Sequence, residues 1–489
     1  MTTDLAARLT AHLHRDDGQE DLCFVAWRPS VGATRTTAIL AELILPADGE
    51  RDVHGNVSFT SAYFLRAAAR AAAAGCGLAL IHSHPTGRGW QSLSRDDQAA
   101  EAGHAGQATA ITGLPLLGLT FAGIDRAHSA RFWHRVGARR HEPMWCESVR
   151  EVGDRIAVTW NNSLRPAPAS RSSQARTVSA WGEEKQSSLA RLHVGVVGAG
   201  SVGALVAEAL ARVGIEYITL FDFDTVEIVN LDRLLHARLR DAQLRRAKVD
   251  VLARALRYSA TARRPRIRGL DYSVTEPAGF AHALDCDVIF SCVDRPWPRA
   301  ALNLAAYAHL IPVVDGGILV RASPRGLRGA EWRSHLAAPG RACLECLGQY
   351  DPGLVSLERT GMLDDATYIV GLDADHPLRR NENVFPFSAA TAANEVLQLL
   401  TATIAPNGIG DLGGNLYHFA TGTLDNVLDG CKPSCVYSTV LQGAGVGHGV
   451  DVTGSHPAAE RARAHRRRFG QRPGVRLRRT IDDLLAALI

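Results

Sequence analysis

Leu192 to Arg233 reads LHVGVVGAGSVGALVAEALARVGIEYITLFDFDTVEIVNLDR, and its reading decides the fold. An apolar run, Val194 to Val197, leads into Gly198-Ala199-Gly200-Ser201-Val202-Gly203. An apolar-periodic segment follows to Val213, then a second strand-like run, Tyr217 to Phe221, which ends in Asp222. Strand, glycine turn, helix, strand and acid form the first half of a dinucleotide-type fold. The glycines allow a tight turn and let the backbone approach a phosphate. The helix N-terminus adds unpaired N–H donors, and Asp222 can accept hydrogen bonds from ribose hydroxyls.

As far as Asp222 this pattern also fits a hydride-transfer enzyme. The continuation separates the two readings. Asp222-Phe223-Asp224-Thr225-Val226 leads into Asn230-Leu231-Asp232-Arg233, then Lys248, then Ser291-Cys292-Val293-Asp294 at the end of another apolar strand. An enzyme that attacks the α-phosphate of ATP needs cations to offset charge on the phosphates and a carboxylate to hold Mg²⁺. At these residues the chain resembles the ThiF/MoeB adenylyltransferases, which include the ubiquitin-activating enzymes, over roughly residues 174–437. The resemblance implies that Gly198, Gly200 and Gly203 cradle the nucleotide and that Asp222 holds the ribose. Asn230, Arg233 and Lys248 would contact the triphosphate, Asp294 would bind Mg²⁺, and Asp224 belongs to the same motif. The reaction implied is C-terminal adenylation of a small β-grasp protein ending in Gly-Gly.

With 489 residues, 46% of them apolar, the chain is long enough for two or three domains with full cores. It shows no apolar run of membrane-spanning length and no signal pattern at its start. Nine scattered cysteines suit a reducing compartment, so a cytoplasmic location is expected. A net charge of +4 argues against the whole chain being a nucleic-acid binder. Lysine occurs only at 185, 248 and 432, so Lys248 stands where the chain almost always uses arginine.

In the N-terminal third, strand-like runs at Asp21–Trp27, Thr36–Leu45 and Gly77–Ile81 flank a helical segment, Thr60–Ala74. The third run ends in His82-Ser83-His84-Pro85, and Ser94-Arg95-Asp96-Asp97 follows. Two histidines at i and i+2 plus a later Asp can form a three-ligand zinc site with a fourth position open to water, the pattern of a catalytic zinc. This resembles the JAMM (JAB/MPN) metalloproteases. It implies His82, His84 and Asp97 as ligands, with Asp96 a lesser alternative to Asp97, and Ser94 as support for the tetrahedral intermediate. The segment between Pro85 and Ser94 is about two residues longer than the family pattern. Glu20 is the expected general base, and Glu42, inside the second strand, is its competitor. Leu114–Phe121 and Ser129–Trp133 read as the last strands, with residues 104–110 completing the helix after the motif.

Residues 161–175, NNSLRPAPASRSSQA, have linker composition. Arg176 follows; in the adenylyltransferases an arginine before a Gln-x-x-Leu stretch reaches the partner subunit's nucleotide, which implies a homodimer. Beyond the sheet lie Cys343-Leu344-Glu345-Cys346 and Cys431-Lys432-Pro433-Ser434-Cys435, pairs suited to a closed, structural zinc. Ubiquitin-activating relatives carry a catalytic cysteine beyond the first pair, but residues 347–430 contain no cysteine. The acyl-adenylate would therefore pass to a separate thiol-bearing protein or an amine. Tyr350–Pro386 reads as a mobile crossover loop. His456 to Arg479 holds nine arginines and one acid and reads as a solvated tail, with Ile481–Ile489 a short amphipathic helix.

The expected class is α/β: a JAMM-type α/β domain over 1–150, linker and lead-in over 151–190, a Rossmann-like mostly parallel sheet with a zinc clip over 191–440, and a basic tail over 441–489. The expected activity is processing and activation of one ubiquitin-like protein, with ATP, Mg²⁺ and two zinc ions. The alternatives are activation of a sulfur-carrier protein and an inactive scaffold. Effective concentration across the linker would couple the two sites.

Overall fold

The computed structural model describes residues 1–54, 56–138, 140–323, 325–364, 383–404, 413–427 and 430–487. Of the expected crossover loop, residues 365–382 lie outside the described residues, and its start is not a loop, since Pro352–Arg359 forms a helix. The N-terminal lobe contains β1 (Leu22–Val31), β2 (Thr36–Ile44), a small hairpin of β3 (Arg51–His54) and β4 (Asn56–Phe59), β5 (Gly77–His84), β6 (Leu116–Ala122), β7 (His128–Arg135) and β8 (His141–Trp145). Among the described residues, β2-β1-β5-β6-β7-β8 form one sheet, in which only β5 and β6 run parallel. Helices Ser61–Ala73 and Arg95–Thr112 bury an alanine-rich stripe on one face, while helix Thr3–Leu13 covers the other with Leu5, Leu9 and Leu13.

One expectation about this lobe needs correction. Its sheet does not end at β7: β8 follows, with alternating burial too weak to stand out as a strand. The helix after the motif runs from Arg95, capped by Ser94, to Thr112, and residues 104–110 lie in its second half as expected.

A hairpin of β9 (Ser148–Val152) and β10 (Ile156–Trp160) joins the lobes, and its Val152, Ile156 and Trp160 pack into the core of the second. Residue 150, the expected boundary, thus lies inside a strand. The second lobe has β11 (His193–Val197), β12 (Tyr217–Phe221), β13 (Arg266–Leu270), β14 (Val288–Ser291), β15 (Val313–Ser323), β16 (Gly326–Ala337), β17 (Gly414–His418) and β18 (Thr423–Val427). Their order among the described residues is β13-β12-β11-β14-β15-β16-β17-β18, parallel from β13 to β15 and antiparallel beyond. Val197 pairs with Phe221 and Ser291, so β11, β12 and β14 end level, while β15, whose Asp315 lies opposite Ser291, runs on to Ser323. Ligands in such sheets bind beyond the carboxyl ends of the strands, which here carry Gly198, Asp222 and Asp294. No helix among the described residues is long and apolar enough to cross a membrane.

The linker is not a loose tether. Asn161 and Gln174 are buried, and the Arg165 guanidinium lies over the Tyr217 ring at 3.7 Å. The lobes also meet through the β1–β2 turn, where Asp285 accepts N–H bonds from Thr34 and Arg35, both at 3.0 Å. Asp287, buried beneath, pairs with Arg35 at 2.7 Å and Arg150 at 3.1 Å and accepts the His193 N–H at 2.8 Å. The tail expectation also fails: helix Pro457–Gly470 is held by Arg463 on Glu276 and Arg466 on Asp271. Helix Pro473–Ala487 covers most of the segment expected to be amphipathic.

Burial opposes ionisation of Asp287, but Arg35 and Arg150 outweigh it and hold the carboxyl below the usual range. Its contribution is therefore full above the unfolded pKa of about 3.9 and is lost as pH falls below it. Asp287→Ala is expected to destabilise the protein by about 3 kcal/mol at neutral pH, because two arginines lose a buried partner. Urea melts at pH 7 and pH 3 should show that difference shrinking in acid.

Candidate functional site

The glycine turn is set by close backbone packing. Gly198 has φ +95°, and a methyl there would run into the Cys292 carbonyl; one at Gly203 would run into the Gly198 carbonyl. Helix Ser201–Val213 starts at Gly200 without a side-chain cap. Asp222 closes the turn from below: one carboxylate oxygen accepts the Ala199 N–H at 2.8 Å and the other the Asp224 N–H at 2.7 Å. Burial pushes the Asp222 carboxyl up, opposed by Lys248. Lys248 Nζ lies 2.8 Å from Asp224 Oδ2. Burial favours its neutral form, but Asp222 and Asp224 outweigh that and raise its pKa above the usual lysine value.

Gly198, Gly200, Asp222, Asp224, Asn230, Arg233, Lys248 and Asp294 line one cleft of about 920 Å³. Asn230 accepts the Glu227 N–H at 3.1 Å, and Arg233 donates to the Val229 carbonyl at 2.7 Å. Gly203 lies beneath the turn. Arg176 is exposed on helix Ala175–Trp181 and is not among the cleft-lining residues of its own chain.

Below the cleft, the sulfur atoms of Cys343, Cys346, Cys431 and Cys435 lie within 4.8 Å of one another. Backbone N–H groups of Cys343, Cys346 and Lys432 point at three of them, at 3.2 Å, 3.3 Å and 3.5 Å. Such donors favour thiolates, and four thiolates fit tetrahedral zinc.

In the N-terminal lobe, His82 and His84 leave β5 on one face. Their Nε2 atoms are 3.2 Å apart, and each lies 3.5 Å from an Asp97 oxygen. Two imidazoles and a carboxylate converging this closely fit a three-ligand zinc. Burial disfavours the Asp97 anion, but hydrogen bonds from His82 and His84 outweigh it and hold the carboxyl well below the usual range. Ser94 and Asp97 cap the following helix reciprocally, with Asp97 N–H to Ser94 Oγ at 3.1 Å and Ser94 N–H to Asp97 Oδ2 at 3.0 Å. Asp96 has no part in the cluster.

Strand register separates the two candidate bases. Leu22 of β1 pairs with His82, so Glu20, two residues before it, sits at the histidines. Ala26 pairs with both Leu78 and Glu42, so Glu42 lies four residues, roughly 13 Å, along the strand from His82. There it pairs with Arg70. Burial pushes Glu20 up, opposed by the two histidines.

A model of the ThiF family matches residues 172–423. The chain belongs to the ThiF family. A relative in Escherichia coli, tRNA threonylcarbamoyladenosine dehydratase, is 36% identical over 143 residues, covering 29% of this chain and 52% of that protein. Ubiquitin-like modifier-activating enzyme 5 of Drosophila willistoni is 32% identical over 137 residues, covering 26% of this chain and 32% of its own. This chain thus spans about half or less of these curated relatives. The crystal structure of E. coli MccB with AMPCPP and MccA aligns over 54% of this chain and 74% of that one, at 16% identity and a TM-score of 0.42.

Several groups at the sites carry no motif. Arg299 and Arg333 line the ThiF cleft and converge on buried Asp315, at 3.2 Å and 2.6 Å. The Asn383 amide donates to Ser201 Oγ at 2.8 Å, tying a distant segment to the glycine turn. In the other lobe the long 85–94 loop brings Gln91 Oε1 to His84 Nδ1 at 3.3 Å, which leaves His84 Nε2 to face His82 and Asp97. The loop length was the only sequence signal for Gln91.

Gly203→Ala is expected to lower stability by about 1–3 kcal/mol, because the backbone must move. A methyl at Gly200 meets no atom within 4 Å, so Gly200→Ala should cost less than about 1 kcal/mol. If the turn receives a phosphate, Gly200→Ala should still weaken nucleotide binding. Denaturant melts and nucleotide titrations of both variants check this.

Proposed function

We propose that the ThiF cleft binds MgATP and adenylates the C-terminal carboxylate of a small β-grasp protein ending in Gly-Gly. The N-terminal lobe would cleave after that Gly-Gly, exposing the carboxylate or removing a conjugate. The observation that carries the adenylation reading is the convergence of Arg233, Lys248 and Asp294 on the cleft that the glycine turn opens into. A carboxylate oxygen of the partner's last glycine attacks the α-phosphorus. An acyl–phosphate bond forms, the α,β bond breaks, and pyrophosphate leaves. Lys248 and Arg233 offset the negative charge gathered on the phosphates. The spare acceptor capacity of Asp222 holds the ribose. Mg²⁺ held by Asp294 would add charge neutralisation at the same phosphates.

The chain has no cysteine between 347 and 430, so the acyl-adenylate passes to a thiol or amine on another molecule. The same feature favours a second reading, activation of a sulfur-carrier protein. Exposed Arg176 is suited to reach a partner subunit's nucleotide in a homodimer. The four-cysteine cluster would hold a structural zinc that closes the sheet's far side.

For the N-terminal lobe, His82, His84 and Asp97 would hold a zinc ion that supplies Lewis-acid activation of water. Gln91 fixes the His84 ring. Glu20, beside the two histidines and with its carboxyl pushed up by burial, is suited to take a proton and return it to the leaving amine. Ser94 keeps its O–H available to donate to a developing oxyanion.

The test mixes the protein, MgATP and a candidate β-grasp protein that carries residues beyond its Gly-Gly, with intact mass as readout. Loss of the extension followed by gain of AMP is the expected outcome. Trimming without AMP would remove the activating reading, and no change with several partners would leave a scaffold. Lys248→Ala and Asp294→Ala should each cut adenylation about 10²–10³-fold without affecting trimming. Glu20→Ala should abolish trimming and spare adenylation. Zinc analysis should find one equivalent fewer in His82→Ala and in Cys343→Ser.

A further inference from the structure

The cleft has a wall that comes from the far end of the chain. His456, Pro457 and Ala458 line it together with Phe223, Trp297 and the Tyr272–Val274 loop. The buried His456 ring stacks on Trp297, with centroids 5.5 Å apart and planes 3° apart, and also meets Phe223 at 4.9 Å. Its Nδ1 accepts the Ala459 N–H at 3.2 Å, which fixes the ring's orientation at the start of helix Pro457–Gly470.

This segment is anchored at both ends. Trp297 Nε1–H donates to the Val452 carbonyl and the Gly454 N–H to the Thr275 carbonyl, at 2.8 Å and 2.9 Å. Arg463 pairs with Glu276, with an Nη1 to Oε2 distance of 2.9 Å. Arg466 pairs with Asp271 and donates to the Phe223 carbonyl at 3.1 Å. Glu276 is nine-tenths buried and also accepts the Ser273 N–H at 2.8 Å, so one carboxylate ties the arm to the loop after β13.

The position of this wall follows from the order of the groups. Phosphates belong at the glycine turn and Lys248, and the ribose at Asp222. A base on that ribose points away from the phosphates, toward Phe223, the loop after β13 and Trp297. That is the part of the cleft the arm closes. We infer that residues 452–466 complete the base subsite, and that His456, backed by the buried Trp297, is a positioning residue which holds the half-buried Phe223 ring against the planar face of a purine. The inference rests on the nucleotide reading of the cleft.

Calorimetric titration of the full chain with a non-hydrolysable ATP analogue plus Mg²⁺, and separately with inorganic tripolyphosphate, tests it. His456→Ala is expected to weaken the analogue about tenfold, the scale of losing one stacking partner, and to leave tripolyphosphate unchanged. His456→Asn keeps an acceptor for the Ala459 N–H, so an equal loss there assigns the effect to the ring. Arg466→Glu should weaken the analogue likewise, and Asp271→Arg combined with Arg466→Glu should restore it, which keeps the test sound if a single variant folds poorly. Equal loss for both ligands, or no loss in any variant, overturns the inference while the cleft remains a nucleotide site. A parent protein that binds neither ligand overturns the nucleotide reading itself.

Discussion

The second lobe depends on a half-buried carboxylate at the edge of the cleft. Asp222 uses both oxygens to hold backbone N–H groups, one in the glycine turn and one in the segment leading to Asn230 and Arg233. Even half-buried, an anion with no compensation would be costly. Lys248 supplies the compensation, and it is itself held by Asp224. The position of the turn, the course of the chain after β12 and the lysine at the start of the next helix are therefore one electrostatic unit. The residues that would bind ribose and phosphate are also those that keep this end of the sheet folded.

A similar arrangement joins the lobes. Asp285 and Asp287 collect N–H groups and guanidinium groups from the β1–β2 turn, from β9 and from β11. With the β9–β10 hairpin in the second lobe's core, the histidine site and the ThiF cleft are held on one body. On the proposed function, a small protein processed at one site would have to move to reach the other, since the sites themselves are not carried on a flexible tether.

Much of the second lobe is legible in the sequence because its evidence is local. Val194–Val197, the glycines and Asp222 lie within one βαβ unit, where hydrophobic period and turn chemistry agree. The histidine cluster is nearly as local, as one strand end and one helix cap. What escaped is non-local. No spacing shows that Arg463 and Arg466 meet acids 187 and 195 residues away, so an arginine-rich end reads as solvated when it is docked. Strand β8 fails for a different reason: its alternation is short and half-exposed, and propensity alone does not mark an edge strand. Glu20 and Glu42 are both plausible on paper, and only the register of β1 against β5 and β2 tells them apart.

The charge state of Lys248 has a further chemical consequence. An acyl-adenylate is a mixed anhydride, open to attack by any neighbouring amine, and a free lysine beside it would form an amide with the enzyme's own side chain. Asp222 and Asp224 keep the Lys248 nitrogen protonated, with its lone pair engaged. The same two carboxylates that would let the residue neutralise phosphate therefore deny it nucleophilicity. With only two other lysines in the chain, the protein offers few sites at which it could acylate itself.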